Sequence, residues 1–309
     1  MYDSIIILGP TASGKTKTSI NLAKSLNAEI VNADSMYIYK NMNIGTAKPT
    51  IDEMQGIKHH LIDIINPNDR FTVAEYRLRA KDIINTLYSK NIVPVIVGGT
   101  GFYIDSLIND YTYAGADADM KIREKYENLA KTYGNEYVYN ILKECDLESA
   151  SKLHYNDLKR VIRALEIYEL SGNTKNQNNE TKTEAPVLKN PLIIGLNFDR
   201  TMLYNKINQR VDIMLDSGLI NEVKKLIDMS YSEDLQSMKA IGYKEIISYL
   251  SNECTLDEAV DKIKQHTRNY AKRQLTYFRR NDRIVWLDPT KHNELELNNL
   301  IIDLFNKIS

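Results

Sequence analysis

Cysteine is scarce in this chain: Cys145 and Cys254 are the only two among 309 residues, far apart and without a Cys-x-x-Cys spacing. That excludes a disulfide scaffold and a cysteine-rich zinc site, and it fits a reducing cytosol. Long apolar runs are missing too, since none approaches the roughly 20 residues that span a bilayer. Met1, Tyr2, Asp3 and Ser4 bring no basic start, and residues 5–8 are too short a run for the apolar stretch of a signal peptide. A cytoplasmic protein without a membrane partner is the expectation. An excess of either charge is also lacking, with 40 Lys+Arg against 41 Asp+Glu. The resulting net charge of −1 speaks against a nucleic-acid partner only if the charges are evenly spread. What remains, 43% hydrophobic and 26% charged residues, is the make-up of an ordinary folded chain with one large core or two smaller ones.

Short apolar runs at residues 5–8, 29–31, 92–97, 192–198 and 284–287 read as strands, the first with the continuous pattern of a strand buried on both faces and the third the clearest. Helical spacing fills 14–26 and 73–88 between them. Strands alternating with helices predict an α/β fold on a parallel sheet. From 115 to 171 the pattern is helical without a strand, and 172–184 contains no apolar residue, which predicts a mobile surface loop. Because strand patterns resume at Leu192, the helical part reads as an insertion. The expected organisation is a core of 1–114 with 187–309, and an inserted helical domain of 115–186 whose loop covers about 172–186.

Gly9, Pro10, Thr11, Ala12, Ser13, Gly14, Lys15 and Thr16 match G-x-x-x-x-G-K-[ST], after a buried strand and before a helix. The glycines let successive backbone N–H groups turn toward one anion, and the helix N-terminus adds partial positive charge. Lys15 would bring a full charge and Thr16 a hydroxyl for Mg²⁺. The motif predicts polyphosphate binding without saying which polyphosphate. An ATP-hydrolysing site usually adds an acid at a strand end to hold Mg²⁺. Here the strand at 92–97 runs instead into Gly98, Gly99 and Thr100.

Asp34 ends the second strand pattern, and ligands of open α/β sheets bind outside the carboxyl ends of strands. It could serve as a general base, as a Mg²⁺ ligand, or simply as the cap of a turn. Thr100, at another strand end, could offer a hydroxyl to the same ligand or be an ordinary loop residue. Leu203, Ile207, Arg210 and Met214 share one helical face, so Arg210 interrupts an apolar stripe, and burying it without an anion would be costly. Snorkelling at the stripe's edge is the alternative.

Several stretches together resemble the tRNA dimethylallyltransferases: GPTASGKT at 9–16, NADSMYIY at 32–39, IGTAKP at 44–49, VGGTGFY at 97–103, RVIRALE at 160–166, IGYKE at 241–245 and KRQLTYFR at 272–279. The resemblance implies a P-loop NTPase-like fold with an inserted helical domain. It implies transfer of the dimethylallyl group from dimethylallyl diphosphate to N6 of the adenosine at tRNA position 37, beside the anticodon. By the same resemblance the residues from Gly9 to Thr16, with Arg210, hold the donor diphosphate. Mg²⁺ accompanies the diphosphate, Asp34 takes the proton from the amine, and Thr100 stands beside the reacting centre; Thr16 and, in place of its role as base, Asp34 are the residues available to the ion. A diphosphate leaving group needs no γ-phosphoryl chemistry, which accounts for the strand that ends without an acid.

For the tRNA anticodon stem-loop, the resemblance assigns contacts to Asp34, Ser35, Met36, Tyr37, Thr100, Arg123, Lys159, Arg160, Val161, Ile162, Arg163, Lys272, Arg273 and Arg280. Tyr37 departs from the commoner Gln or Leu. Local charge supports the last group. Residues 262–283 hold 8 basic side chains against Asp282 alone, and Tyr270, Tyr277 and Phe278 interleave them. A solvated helix with its rings turned inward has the same spacing. His59 and His60 read as structural, since no third ligand stands nearby in sequence. The rival readings are a small-molecule or nucleoside kinase, a prenyltransferase acting on adenine nucleotides, and an RNA-binding module with a vestigial loop. A monomer is expected.

Overall fold

The computed structural model describes residues 2–110, 119–171 and 184–307. Most of the loop expected at 172–186, residues 172–183, lies outside the described residues. The chain divides into two compact units, Met1–Ile108 with Val187–Ser309 and Asn109–Pro186. The first unit's boundary falls at Ile108, whose side chain is part of that unit's core.

In the first unit the chain runs through β1 (Ser4–Leu8), α1 (Lys15–Ser25), β2 (Ala28–Asn32), α2 (Ile51–Met54), β3 (His59–His60), α3 (Val73–Ser89), β4 (Val93–Gly98) and α4 (Gly101–Ile108). The second unit holds α5 (Met120–Tyr133), α6 (Asn135–Cys145), α7 (Leu147–Ser151) and α8 (Leu158–Ser171). The first unit then resumes with β5 (Pro191–Leu196), α9 (Arg200–Asp216), α10 (Leu219–Asp228), α11 (Tyr243–Leu250), α12 (Leu256–Phe278), β6 (Val285–Leu287) and α13 (Glu294–Asn306).

The six strands form one parallel sheet in the order β3-β2-β4-β1-β5-β6. β3 is a strand that periodicity does not reveal, since two residues cannot show alternation. His59 pairs with Ile30 and His60 with Val31, while His60 Nε2 meets Glu29 Oε2 at 2.6 Å, so both histidines brace the sheet edge. β1 is central and its alternate residues serve two cores. Ile6 and Leu8 pack with Tyr76, Ala80 and Ile84 of α3 and Tyr103, Ile104 and Leu107 of α4. Ile5 and Ile7 pack on the other face with Ile20, Leu22 and Ala23 of α1 and Leu297 and Ile301 of α13. Each fully buried branched side chain of this kind contributes about 1.5–3 kcal/mol, so β1 anchors both layers. A further core joins Val211 of α9, Leu219, Val223 and Leu226 of α10, Tyr243, Ile246 and Ile247 of α11 and Ile263 of α12 to Ile38, Tyr39 and Met42.

The second unit has its own core of Tyr126, Val138, Leu142, Val161, Ile162 and Leu165. Among the described residues no helix is long and apolar enough to cross a membrane.

Candidate functional site

The sheet order puts the carboxyl ends of β2, β4 and β1 side by side, and these carry Asp34, Thr100 and the loop of residues 9–16. They flank a cleft of about 930 Å³ lined by residues 11–16 of the loop, by Asp34, Met36 and Tyr37, and by Arg210, Tyr270, Arg273 and Gln274, with Gly9, Pro10 and Thr100 behind that lining. Helices α3, α12 and α13 start with Thr or Asn capping boxes that satisfy their first N–H groups. α1 starts on Gly14 in the left-handed region, φ 89°, without any side-chain cap, which suits an N-terminus turned to an anion.

Within the loop, a Cβ on Gly9 would sit 2.4 Å from the Leu196 carbonyl oxygen, so only glycine lets the chain pass so close to β5. Ser13 Oγ is buried without a protein partner, the kind of hydroxyl a phosphate oxygen satisfies. Lys15 folds back so that Nζ donates to the Pro10 carbonyl at 2.7 Å. Burial brings its pKa down to about 8; Asp34 opposes that shift and Arg210 adds to it. Arg210 Nη1 reaches Thr11 Oγ1 at 3.4 Å, so the cation in the apolar stripe of α9 does face the loop.

Asp34 does two jobs. Its Oδ1 accepts the Met36 N–H at 2.9 Å, closing a turn, while Asn32 donates to the Asp34 carbonyl at 2.9 Å. Burial raises the carboxyl pKa above the usual Asp range, and the Met36 N–H, Lys15 and Arg210 counter this only in part. A carboxylate with raised proton affinity beside two cations is suited to accepting a proton. Thr100 Oγ1 accepts the Ser35 N–H at 3.0 Å and donates to Ser35 Oγ at 3.2 Å, which ties the β4 loop to the β2 loop.

Gln274, which the sequence pattern does not single out, joins the remaining pair of loops. Its Oε1 accepts the Thr11 N–H at 2.9 Å and its Nε2 donates to the Gly99 carbonyl at 2.9 Å. A Cβ on Gly99 would fall 2.1 Å from Gln274 Nε2, and one on Gly98 2.1 Å from the Ala33 carbonyl oxygen, which explains the Gly-Gly pair. Glu222 of α10 is the second unforeseen residue. Its carboxylate accepts the backbone N–H groups of Asn43, Ile44 and Gly45 at 2.8–3.1 Å and the Tyr243 hydroxyl at 2.7 Å, fixing the loop that carries Gly45 and Thr46 into the cleft wall.

Of the residues assigned to RNA, Val161 and Ile162 need correction. Both side chains are buried in the second unit's core, where they hold α8 in place and offer no surface. Arg123 and Arg163 converge on the buried Glu166 carboxylate, Arg123 through Nε at 2.8 Å and Nη2 at 2.9 Å and Arg163 through Nη1 at 2.5 Å. Those contacts hold Glu166 below its usual pKa against the opposing effect of burial. Lys159 and Arg160 are exposed, the latter 3.4 Å from Asp157. Tyr37 lies in the cleft wall with its hydroxyl donated to the Ala47 carbonyl at 2.8 Å, so it presents a ring rather than a hydrogen bond.

The basic stripe is narrower than its charge count. Lys264 turns to Asp212 at 2.6 Å and Arg268 to Asn208 at 2.7 Å, both on α9. Lys272, Arg273 and Arg280 are exposed, with Arg273 stacked 5.7 Å over the Tyr270 ring. Phe278 is in the core and Tyr277 is half-buried, so these two rings pack inward.

No group of three or more His, Cys, Asp or Glu that could hold a metal occurs among the described residues. Thr16 and Asp34 on one cleft wall offer a hydroxyl and a carboxylate, the hard, sparse donor set that Mg²⁺ accepts when water and phosphate complete its shell. The residues fit that ion.

The parallel sheet, the glycine-rich loop and the cleft at the strand ends define a P-loop NTPase-like α/β protein. A family model described as IPP transferase matches residues 37–281. The tRNA dimethylallyltransferase of Thermoanaerobacter sp. (strain X514) is 48% identical over 99% of this chain and 98% of its own. The chain belongs to the IPP transferase family, the tRNA dimethylallyltransferases, and is a prenyltransferase. The Acetivibrio thermocellus tRNA dimethylallyltransferase is 47% identical over 96% of this chain and 95% of its own. Among solved structures, the full-length tRNA isopentenylpyrophosphate transferase of Bacillus halodurans superposes with a TM-score of 0.73 at 41% identity, covering 99% and 97% of the two chains. A eukaryotic dimethylallyltransferase acting on tRNA gives a TM-score of 0.83 at 26% identity over 98% of this chain and 78% of that one.

Proposed function

We propose that the protein transfers the dimethylallyl group from dimethylallyl diphosphate to N6 of the adenosine at position 37 in the anticodon stem-loop of tRNA, releasing diphosphate. The observation that carries this reading is Asp34: a carboxyl of raised proton affinity shares one cleft with the phosphate loop, Lys15 and Arg210. A bond forms between N6 and the allylic carbon, the bond from that carbon to the diphosphate oxygen breaks, and the amine proton passes to Asp34.

A neutral exocyclic amine is a weak nucleophile, so alignment and stabilisation of the departing diphosphate supply most of the rate. Lys15, Arg210, the loop N–H groups and the Ser13 hydroxyl receive the charge that develops on the leaving group. Asp34 adds a factor of roughly 10²–10⁴ as a positioned base. Thr16 would hold Mg²⁺, which when bound neutralises charge on the diphosphate, and Asp34 is kept for the proton. Apolar side chains of the same cleft, Met36, Val211, Met214 and Ile241, suit the hydrocarbon end of the donor. A monomer acting in the cytoplasm completes the proposed reading.

The test pairs donors with acceptors. With Mg²⁺ and dimethylallyl diphosphate, an unmodified anticodon stem-loop should be prenylated far faster than AMP. With ATP in place of the donor, none of the acceptors should be phosphorylated. Preference for AMP would favour an adenylate prenyltransferase, and phosphate transfer at the rate of a working kinase would refute the reading.

A further inference from the structure

Resting on the RNA-acceptor reading, we propose that Phe102 is a stacking platform for an unpaired RNA base next to the target adenosine. Phe102 stands two residues after Thr100, in the first turn of α4, and its side chain is 52% exposed. Packing does not explain that exposure, because its neighbours Tyr103 and Ile104 are buried in the core.

Among the described residues its one ring neighbour is Tyr277. The Tyr277 ring lies 5.5 Å from the Phe102 ring at 60°. Tyr277 is itself pinned: its hydroxyl donates to Asp105, and its edge meets Phe278 at 6.0 Å and 87°. A Cβ on Gly101 would fall 2.2 Å from the Tyr277 ring, so glycine is required for this close approach. Tyr277 thus backs Phe102 on one side, and half of Phe102 stays exposed.

Charge identifies the occupant. The Arg280 guanidinium lies 5.9 Å above the Tyr277 ring, with Arg279 beside it in sequence and Arg283 three residues on. An exposed aromatic ring backed by a second ring that carries a guanidinium suits a single-stranded nucleic acid, in which the base stacks and the adjoining phosphate meets the cation. The ring expected for this purpose in the 262–283 stripe is therefore supplied by another element, since Tyr277 and Phe278 serve as its support.

The experiment compares wild type with Phe102→Ala, Phe102→Leu and Phe102→Trp, each checked for an unchanged melting temperature. The binding constant of a labelled, unmodified anticodon stem-loop is measured alongside its KM and kcat. Substrates carrying an abasic residue on the 5′ or the 3′ side of the target adenosine complete the set. The Ala and Leu variants should weaken stem-loop binding and raise KM about tenfold, while kcat and diphosphate affinity stay unchanged and Trp restores binding. The loss should vanish when one of the two abasic substrates is used, which identifies the stacked base.

Wild-type stem-loop affinity in the Ala and Leu variants would overturn the proposal, leaving the ring for a protein partner. So would a loss that persists on both abasic substrates, or a wild-type protein that does not bind the stem-loop. If wild type binds RNA but transfers nothing, the functional reading fails while the binding arm still decides about Phe102. If wild type transfers and Phe102→Ala matches it, only the platform fails.

Discussion

At the scale of single residues, the cleft holds two groups whose protonation is displaced toward each other. Burial raises the Asp34 carboxyl above its usual range, and burial with Arg210 nearby lowers Lys15 to about 8. Transfer needs Asp34 ionised and Lys15 charged. Activity is therefore gained as pH rises through the raised Asp34 pKa and lost as pH rises through the Lys15 value. The profile of kcat/KM should be a bell whose alkaline limb lies near 8 and whose acid limb lies above the ordinary Asp value of about 3.9. A flat profile across that alkaline limb would remove Lys15 from the donor site. Lys15, Asp34 and Arg210 were legible in the sequence because each belongs to a contiguous motif or interrupts a helical stripe. Gln274 was not, since its two partners stand 263 and 175 residues away and no local pattern reports such contacts.

Among the elements, α12 does more than present cations. Through Gln274 it joins the phosphate loop to the end of β4, so the two strand-end loops share one strut. Gln274→Ala removes both hydrogen bonds and Gln274→Glu keeps only the acceptor to the Thr11 N–H. Transfer should fall in both, more in the Ala variant, with kcat affected more than RNA affinity; equal and wild-type kcat in the two would make the strut incidental.

In α8, Ile162→Ala should cost about 2–5 kcal/mol of the second unit's stability as a buried truncation, measured by denaturant unfolding. An Ile162→Ala variant of wild-type stability that binds RNA less well would restore the contact first expected of it. β1 and β4 were readable because each is a near-continuous apolar run that ends at glycine. β3 escaped because it has two residues, and the inward turn of Tyr277 and Phe278 stayed one of two readings because spacing gives a period without saying which face the core occupies.

For the whole molecule, the near balance of acid and base conceals an uneven distribution, and the structure sharpens it further. Lys264 and Arg268 are drawn to α9, while Arg273 and Arg280 stay exposed. The logarithm of stem-loop affinity should fall linearly with the logarithm of salt concentration, and Arg273→Ala and Arg280→Ala should each reduce that slope by about 0.7–0.9. Unchanged slopes in both would remove the stripe from the RNA path.

The central claim is tested most directly by mass spectrometry of unmodified tRNA incubated with the protein, Mg²⁺ and dimethylallyl diphosphate, followed by nuclease mapping. The account predicts the added mass of one C₅H₈ unit on the adenosine beside the anticodon, and none when Asp34→Ala replaces wild type. No added mass with wild type, added mass elsewhere in the tRNA, or wild-type transfer by Asp34→Ala would contradict it.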